Sequence, residues 1–160
     1  MATLTQDAEY PCTFELKLLD WERYSSNEDT DIKTKTVPGP LGEAYTLWVK
    51  YHMDLRVGDS ILYKSAKETT LVLEDIKRLI EELQQLVDGS KDEVAFEPIE
   101  PDFGLVIRHL SPSVFDVVVW IDFPNQVSHF YGGYGPGLYF WVDASDIERF
   151  TSQLRRNYMQ

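Results

Sequence analysis

From position 45 the chain alternates. Tyr45, Leu47, Val49, Tyr51, Met53, Leu55 and Val57 are apolar, and the positions between them are mostly polar. A period of two is that of a half-buried strand, whose successive side chains point to opposite faces, so a strand is predicted over 45–57. Gly58-Asp59 supplies a turn, after which 60–66 can return antiparallel. The same alternation marks 13–19 through Phe14, Leu16 and Leu18, and it recurs at 103–110 and 115–123, while 127–131 and 138–142, which bracket the glycine-rich loop Gly132–Gly137, are predicted as further strands. Ser111-Pro112-Ser113 reads as a hairpin connection. The stretch 94–102 contains two prolines and predicts at most a short edge strand followed by a bend.

At Leu73 the period changes. Ile76, Leu79, Ile80, Leu83, Leu86 and Val87 share one face at helical spacing, with Glu74, Asp75, Lys77, Arg78, Glu81 and Glu82 predicted to face solvent. Gly89 is placed to end this helix in the left-handed conformation. A second helix closes the chain, with Ser145 as N-cap, Glu148 completing a capping box, and Ile147, Phe150 and Leu154 as its buried stripe. Arg155 and Arg156 suit the negative end of its dipole. Strands and helices do not alternate as βαβ units. The expected fold is therefore α+β: a single domain, mostly antiparallel β-sheet, with one central amphipathic helix and a C-terminal helix. The domain is expected to span 12–160, residues 1–11 to trail loosely, and 21–40 to form a long exposed loop. No internal repeat is apparent.

Charge changes this picture from fold to function. The chain carries 27 acidic and 15 basic side chains, a balance of −12 over 160 residues, while apolar residues make up 43%. That apolar share supports a packed core, and the charge repels nucleic acid and anionic membrane while attracting basic surfaces. The lone cysteine, Cys12, has no internal disulfide partner and reads as a small buried hydrophobe in a reducing compartment. The first residues have neither the basic nor the apolar region of a signal peptide. The longest apolar run, Val117–Ile121, is far short of the roughly 20 residues that span a bilayer. A cytoplasmic protein is expected.

Candidate chemistry is sparse. His52, His109 and His129 lack the short spacings of a zinc site, and His52 and His109 read as exposed strand residues opposite the apolar face. Glu97, Glu100 and Asp102 are dense in carboxylate but lie on one short proline-splayed segment, with nothing opposing them across a cleft. Gly132–Gly137 matches no phosphate-binding pattern and is followed by a strand pattern rather than a helix. Asn27–Asp31 lacks the glycine and terminal glutamate of a calcium loop. Neither Gly-x-Ser-x-Gly nor Cys-x-x-Cys occurs. The reading is no catalytic residue, no metal and no cofactor, which leaves binding as the work.

An ordered series of features then carries a resemblance. An alternating strand surrounds Trp48, a helix-like segment runs Thr70–Leu83 in the manner of L-x-x-E-L-x-x-L, Glu100-Pro101-Asp102-Phe103 leads into a strand, and a helix ends the chain. Over roughly 45–155 this resembles the WapI-type immunity proteins, partners of contact-dependent or polymorphic bacterial toxins. The resemblance implies a binding inhibitor without catalysis whose partner is a cognate toxin, often a nuclease with a basic groove. It transfers no contact residues. From the sequence itself the contact candidates are the acidic loop residues Glu28, Asp29 and Asp31 and the loop tyrosines Tyr131 and Tyr134, facing a basic protein toxin, with no nucleic acid and no membrane as partner. The alternatives are an acidic adaptor domain, or a small-molecule binder or enzyme using a cleft under the glycine-rich loop.

Overall fold

Alternation becomes strand and 3.6-periodicity becomes helix nearly where the pattern places them. The computed structural model describes residues 1–23, 47–65, 68–98, 103–121 and 137–158. Their elements are β1 (Ala2–Thr5), β2 (Cys12–Arg23), β3 (Leu47–Val57), β4 (Ser60–Lys64), β5 (Glu68–Val72), α1 (Leu73–Asp88), β6 (Glu93–Phe96), β7 (Phe103–Ser111), β8 (Val114–Ile121), β9 (Gly137–Asp143) and α2 (Ala144–Tyr158). The class is α+β, as expected. The expected segment at 127–131 lies outside the described residues, as does 24–40 of the expected loop.

The strands form two antiparallel sheets rather than one. In the first, the order is β1-β2-β3-β4, and β5 shares an edge of β3 with β4. β5 lies beside the start of β3, pairing Val49 with Leu71, and β4 lies beside its end, pairing Val57 with Ser60. The second sheet runs β6-β7-β8-β9. Splitting at α1 lets each sheet turn its apolar face to one shared core together with the helices. Phe103 of β7 marks the centre, with ring centroids 6.1 Å from Phe14, 5.8 Å from Tyr51 and 6.1 Å from Phe96. Phe14 is in turn 5.9 Å from Phe150 of α2.

Several expectations are corrected. Residues 1–11 do not simply trail. Ala2 and Leu4 are fully buried in β1, which pairs with β2. The exposed edge of β1 is closed by α2, whose Gln153 side chain accepts the Thr3 N–H at 2.8 Å, and so an unpaired edge donor is satisfied. Trp21, Glu22 and Arg23 continue β2 rather than opening a loop, paired with Val49, Trp48 and Leu47. Thr70–Val72 is strand, not helix, as its β-branched and aliphatic residues favour. The stretch 94–102 begins as expected: β6 is a four-residue edge strand on β7.

Both helices start directly from a strand, and both use one device. In α1 the Val72 N–H donates to the Asp75 carboxylate at 3.0 Å, and Asp75 also accepts from Arg78. Asp75 is thus buried rather than solvent-facing. In α2 the capping box is Asp143 with Asp146, not Ser145 with Glu148. The Asp146 N–H donates to Asp143 Oδ1 at 2.9 Å, and the Asp143 N–H donates to Asp146 Oδ2 at 3.1 Å. Arg149 pairs with Asp146 as Arg78 does with Asp75. Superimposing these roles exposes a short internal repeat: Asp75-Ile76-x-Arg78-Leu79-x-x-x-Leu83 against Asp146-Ile147-x-Arg149-Phe150-x-x-x-Leu154. In each copy the Ile, the Leu or Phe and the final Leu are buried. α1 spans the predicted 73–88 and ends at Gly89, whose φ of 86° is left-handed.

A candidate partner-binding face

The two sheets differ on the sides that turn away from the core. On the first sheet, that side is laced with charge: Glu15, Lys17, Lys50, His52, Asp54, Arg56 and Lys64 occupy the alternate positions of β2, β3 and β4. Arg56 donates to Glu15 at 2.8 Å. Such a face is what a solvated antiparallel sheet presents.

The second sheet departs from this. Its register lines up three rows across the outer side. One row is Ala95, Val106, Val118 and Tyr139; the next is Glu93, Arg108, Asp116 and Trp141; the third is Gly104, Trp120 and Gly137. Tyr139 and Trp141 are 53% and 48% exposed, and their rings meet edge to face at 5.8 Å. Aromatic side chains of this size are normally buried on folding, and their exposure side by side marks a surface with a use.

One polar construction interrupts the apolar rows. Arg108 grips Asp116 with two bonds, Nε to Oδ1 at 3.2 Å and Nη2 to Oδ2 at 3.0 Å. The Tyr139 hydroxyl donates to the same carboxylate at 3.3 Å. Asp116 is only 4% exposed although it sits on the outer side, because these neighbours cover it. The bonds to Asp116, then its charge, with Glu93 adding less, raise the Arg108 pKa above its ordinary value. The guanidinium is therefore fixed in direction and already matched by a carboxylate.

At the β6 edge the face dips into a shallow concavity of about 370 Å³, lined by Trp120, Val106, Ala95, Phe96 and Glu97 and, from α1, by Arg78 and Glu82. Arg78 is tethered there: it donates to the Glu97 carbonyl at 3.1 Å and lies over the Phe96 ring at 5.9 Å.

Of the residues singled out from the sequence, Glu28, Asp29, Asp31, Tyr131 and Tyr134 lie outside the described residues. The same holds for His129, Glu100, Asp102 and Asn27–Asp31. Glu97 is exposed just past β6. His52 is half-buried on the polar side of the first sheet. His109 is not opposite the apolar face as expected: it shares the parity of Leu105 and Ile107, pairs with Phe115, and lies 5.0 Å from that ring at the exposed end of the sheet. Cys12 is half-buried, and burial raises its thiol pKa. Among the described residues no group of three metal-ligating side chains comes together, and no helix is long and apolar enough to cross a membrane.

The residues of the outer face were missed, although two signals mark them. Val117–Ile121 and Leu138–Val142 are apolar at both parities, the pattern of a strand covered on both sides. Among the described residues, only the core-facing half of each pattern is packed into the shared core.

These elements define a small α+β domain with a polar sheet face, an aromatic sheet face and a shallow concavity between sheet and helix. The chain belongs to the immunity protein WapI-like family, whose model matches residues 5–160. Membership points to a toxin-immunity role and to a cognate toxin as the partner. No curated protein and no solved structure matches the chain.

Proposed function

We propose that the chain is a non-catalytic inhibitor that protects a bacterial cytoplasm by binding a cognate toxin and covering its substrate-binding groove. Membership in the immunity family over nearly the whole chain carries this reading. The charge balance of −12 supports a basic toxin, and a nuclease is the class of toxin whose groove must be basic to hold phosphate. Inhibition then needs no chemistry. Carboxylates pair with the toxin Lys and Arg side chains that would otherwise hold substrate, and long-range attraction speeds encounter. The sequence-derived contact candidates Glu28, Asp29, Asp31, Tyr131 and Tyr134 belong to this reading.

The test is co-expression with the neighbouring open reading frame as the candidate toxin. Rescue of growth, together with a purified one-to-one complex whose association slows as salt rises, is the expected result. Failure to rescue and to bind overturns the reading. Binding that leaves the toxin active on its substrate removes the groove-covering part alone.

A further inference from the structure

We infer that the outer face of the second sheet is the surface that grips the toxin, and that it takes a toxin segment bearing Lys or Arg side chains. The inference rests on the toxin-binding reading above and adds to it a place and a chemistry. The two outer faces of this chain supply the contrast. On the first sheet, the cations Lys17, Lys50, Arg56 and Lys64 share the outer register with the carboxylates Glu15, Asp20, Glu22 and Asp54, so charge is balanced there, and the exposed Ile61 stands opposite Arg56. On the second sheet, Glu93, Asp116 and Asp143 share the outer side with Glu97 just beyond, and Arg108 is the cation among the paired positions. Asp116 already matches Arg108 through two bonds. What is left over is negative.

The apolar part of the face has the residue types on which binding energy concentrates: Trp, Tyr and a pre-positioned Arg. Trp141 and Tyr139 hold one another edge to face at 5.8 Å, and the Tyr139 hydroxyl is tied to Asp116. Their exposed rings therefore lose little freedom on contact. Exposed indole faces with carboxylates beside them fit cationic side chains, whose charge is attracted to the ring and whose stem packs along it. The concavity at the β6 edge adds Trp120 as wall and Glu97 at its lining, where Arg78 is matched by Asp75 and Glu82 by Lys91. A basic protein surface satisfies both parts, and an acidic one is repelled.

The experiment measures binding of the candidate toxin, the product of the neighbouring reading frame that the co-expression test validates, to the intact chain and to variants, with thermal melting to show that each variant is folded. Trp141→Ala, at a half-exposed position, should leave the melting temperature close to wild type and weaken binding about tenfold or more, chiefly through faster dissociation. Glu93→Lys combined with Glu97→Lys should slow association and flatten its salt dependence. Lys17→Ala and Lys64→Ala on the first sheet should change neither rate. Wild-type binding that is untouched by Trp141→Ala and by the double charge reversal overturns this placement while leaving the immunity reading intact. No wild-type binding at all overturns the immunity reading itself. If the isolated chain forms a dimer that Trp141→Ala dissociates, the face belongs to a second copy and the placement is wrong.

Discussion

The Trp120 indole lies flat against Gly104, its partner across β7 and β8: a Cβ added to Gly104 would stand 2.0 Å from the ring. On the other flank Trp120 pairs with Gly137, where a Cβ would stand 1.9 Å from the Val119 carbonyl oxygen. Gly104 thus gives the indole room to lie along the sheet, which sets the wall of the concavity, whereas Gly137 permits the close approach of the β8 backbone. Glycine weakens a strand interior, so a residue-sized gap filled by a neighbouring ring is the compensation.

Gly104→Ala should therefore force the indole off the sheet. The expected cost is about 1–3 kcal/mol, the range for overpacking a filled site, read from denaturant unfolding. In a Trp120→Ala background the same substitution should cost much less, because the clash has gone. A double-mutant cycle with no coupling between the two would show that the ring does not depend on the glycine.

Leu83 is fully buried on α1, in the shared core. Leu83→Ala should cost about 2–5 kcal/mol in chemical denaturation, for lost burial and the cavity left behind. Leu83→Asp should cost more, since it places a charge with no partner in an apolar site. A Leu83→Asp protein as stable as wild type would mean that this face of α1 is not packed.

How much of this could be read from the chain depends on whether local pattern or tertiary pairing decides. The face of α1, the turn at Gly58 and the strand at 115–123 follow from spacing alone, and they stand close to where spacing puts them. β5 was hidden because five residues running straight into a helix show no turn signal between them. β1 was hidden because its two buried side chains, Ala2 and Leu4, are too few to make a pattern. The division into two sheets could not be read at all, since alternation reports a strand and its faces but not its neighbours. The candidate site was legible only as an oddity. Val118, Trp120, Tyr139 and Trp141 sit at the parity that should be polar, and only the register shows that they form one surface.

Asp75 and Asp146 make a matched pair of tests for the helix starts. Each carboxylate accepts the N–H of the residue before its helix and pairs with an arginine three residues on. Asp75→Ala and Asp146→Ala should each destabilise by about 1 kcal/mol, the usual worth of a helix N-terminal cap. Because α1 and α2 belong to one cooperative core, each change should lower a single unfolding transition rather than fray one helix. A Glu148→Ala control should be close to neutral, since the capping box does not use it.

Asp143 gives the chain a titratable cap. Its carboxylate accepts from the Ser145 hydroxyl at 2.6 Å and from the Asp146 N–H at 2.9 Å. The Ser145 bond, followed by the Asp146 N–H, holds its pKa below the ordinary 3.8. A depressed folded pKa means that the unfolded chain takes up the proton first. The stabilisation is then fully present above the ordinary value and is lost as pH falls through the lower, folded one. Asp143→Asn keeps an acceptor at the cap but removes the titration. The variant should melt near wild type at neutral pH and lose less stability than wild type as pH falls below the ordinary carboxylate value. Parallel melting curves for the two proteins across that range would show that Asp143 carries no share of the acid sensitivity.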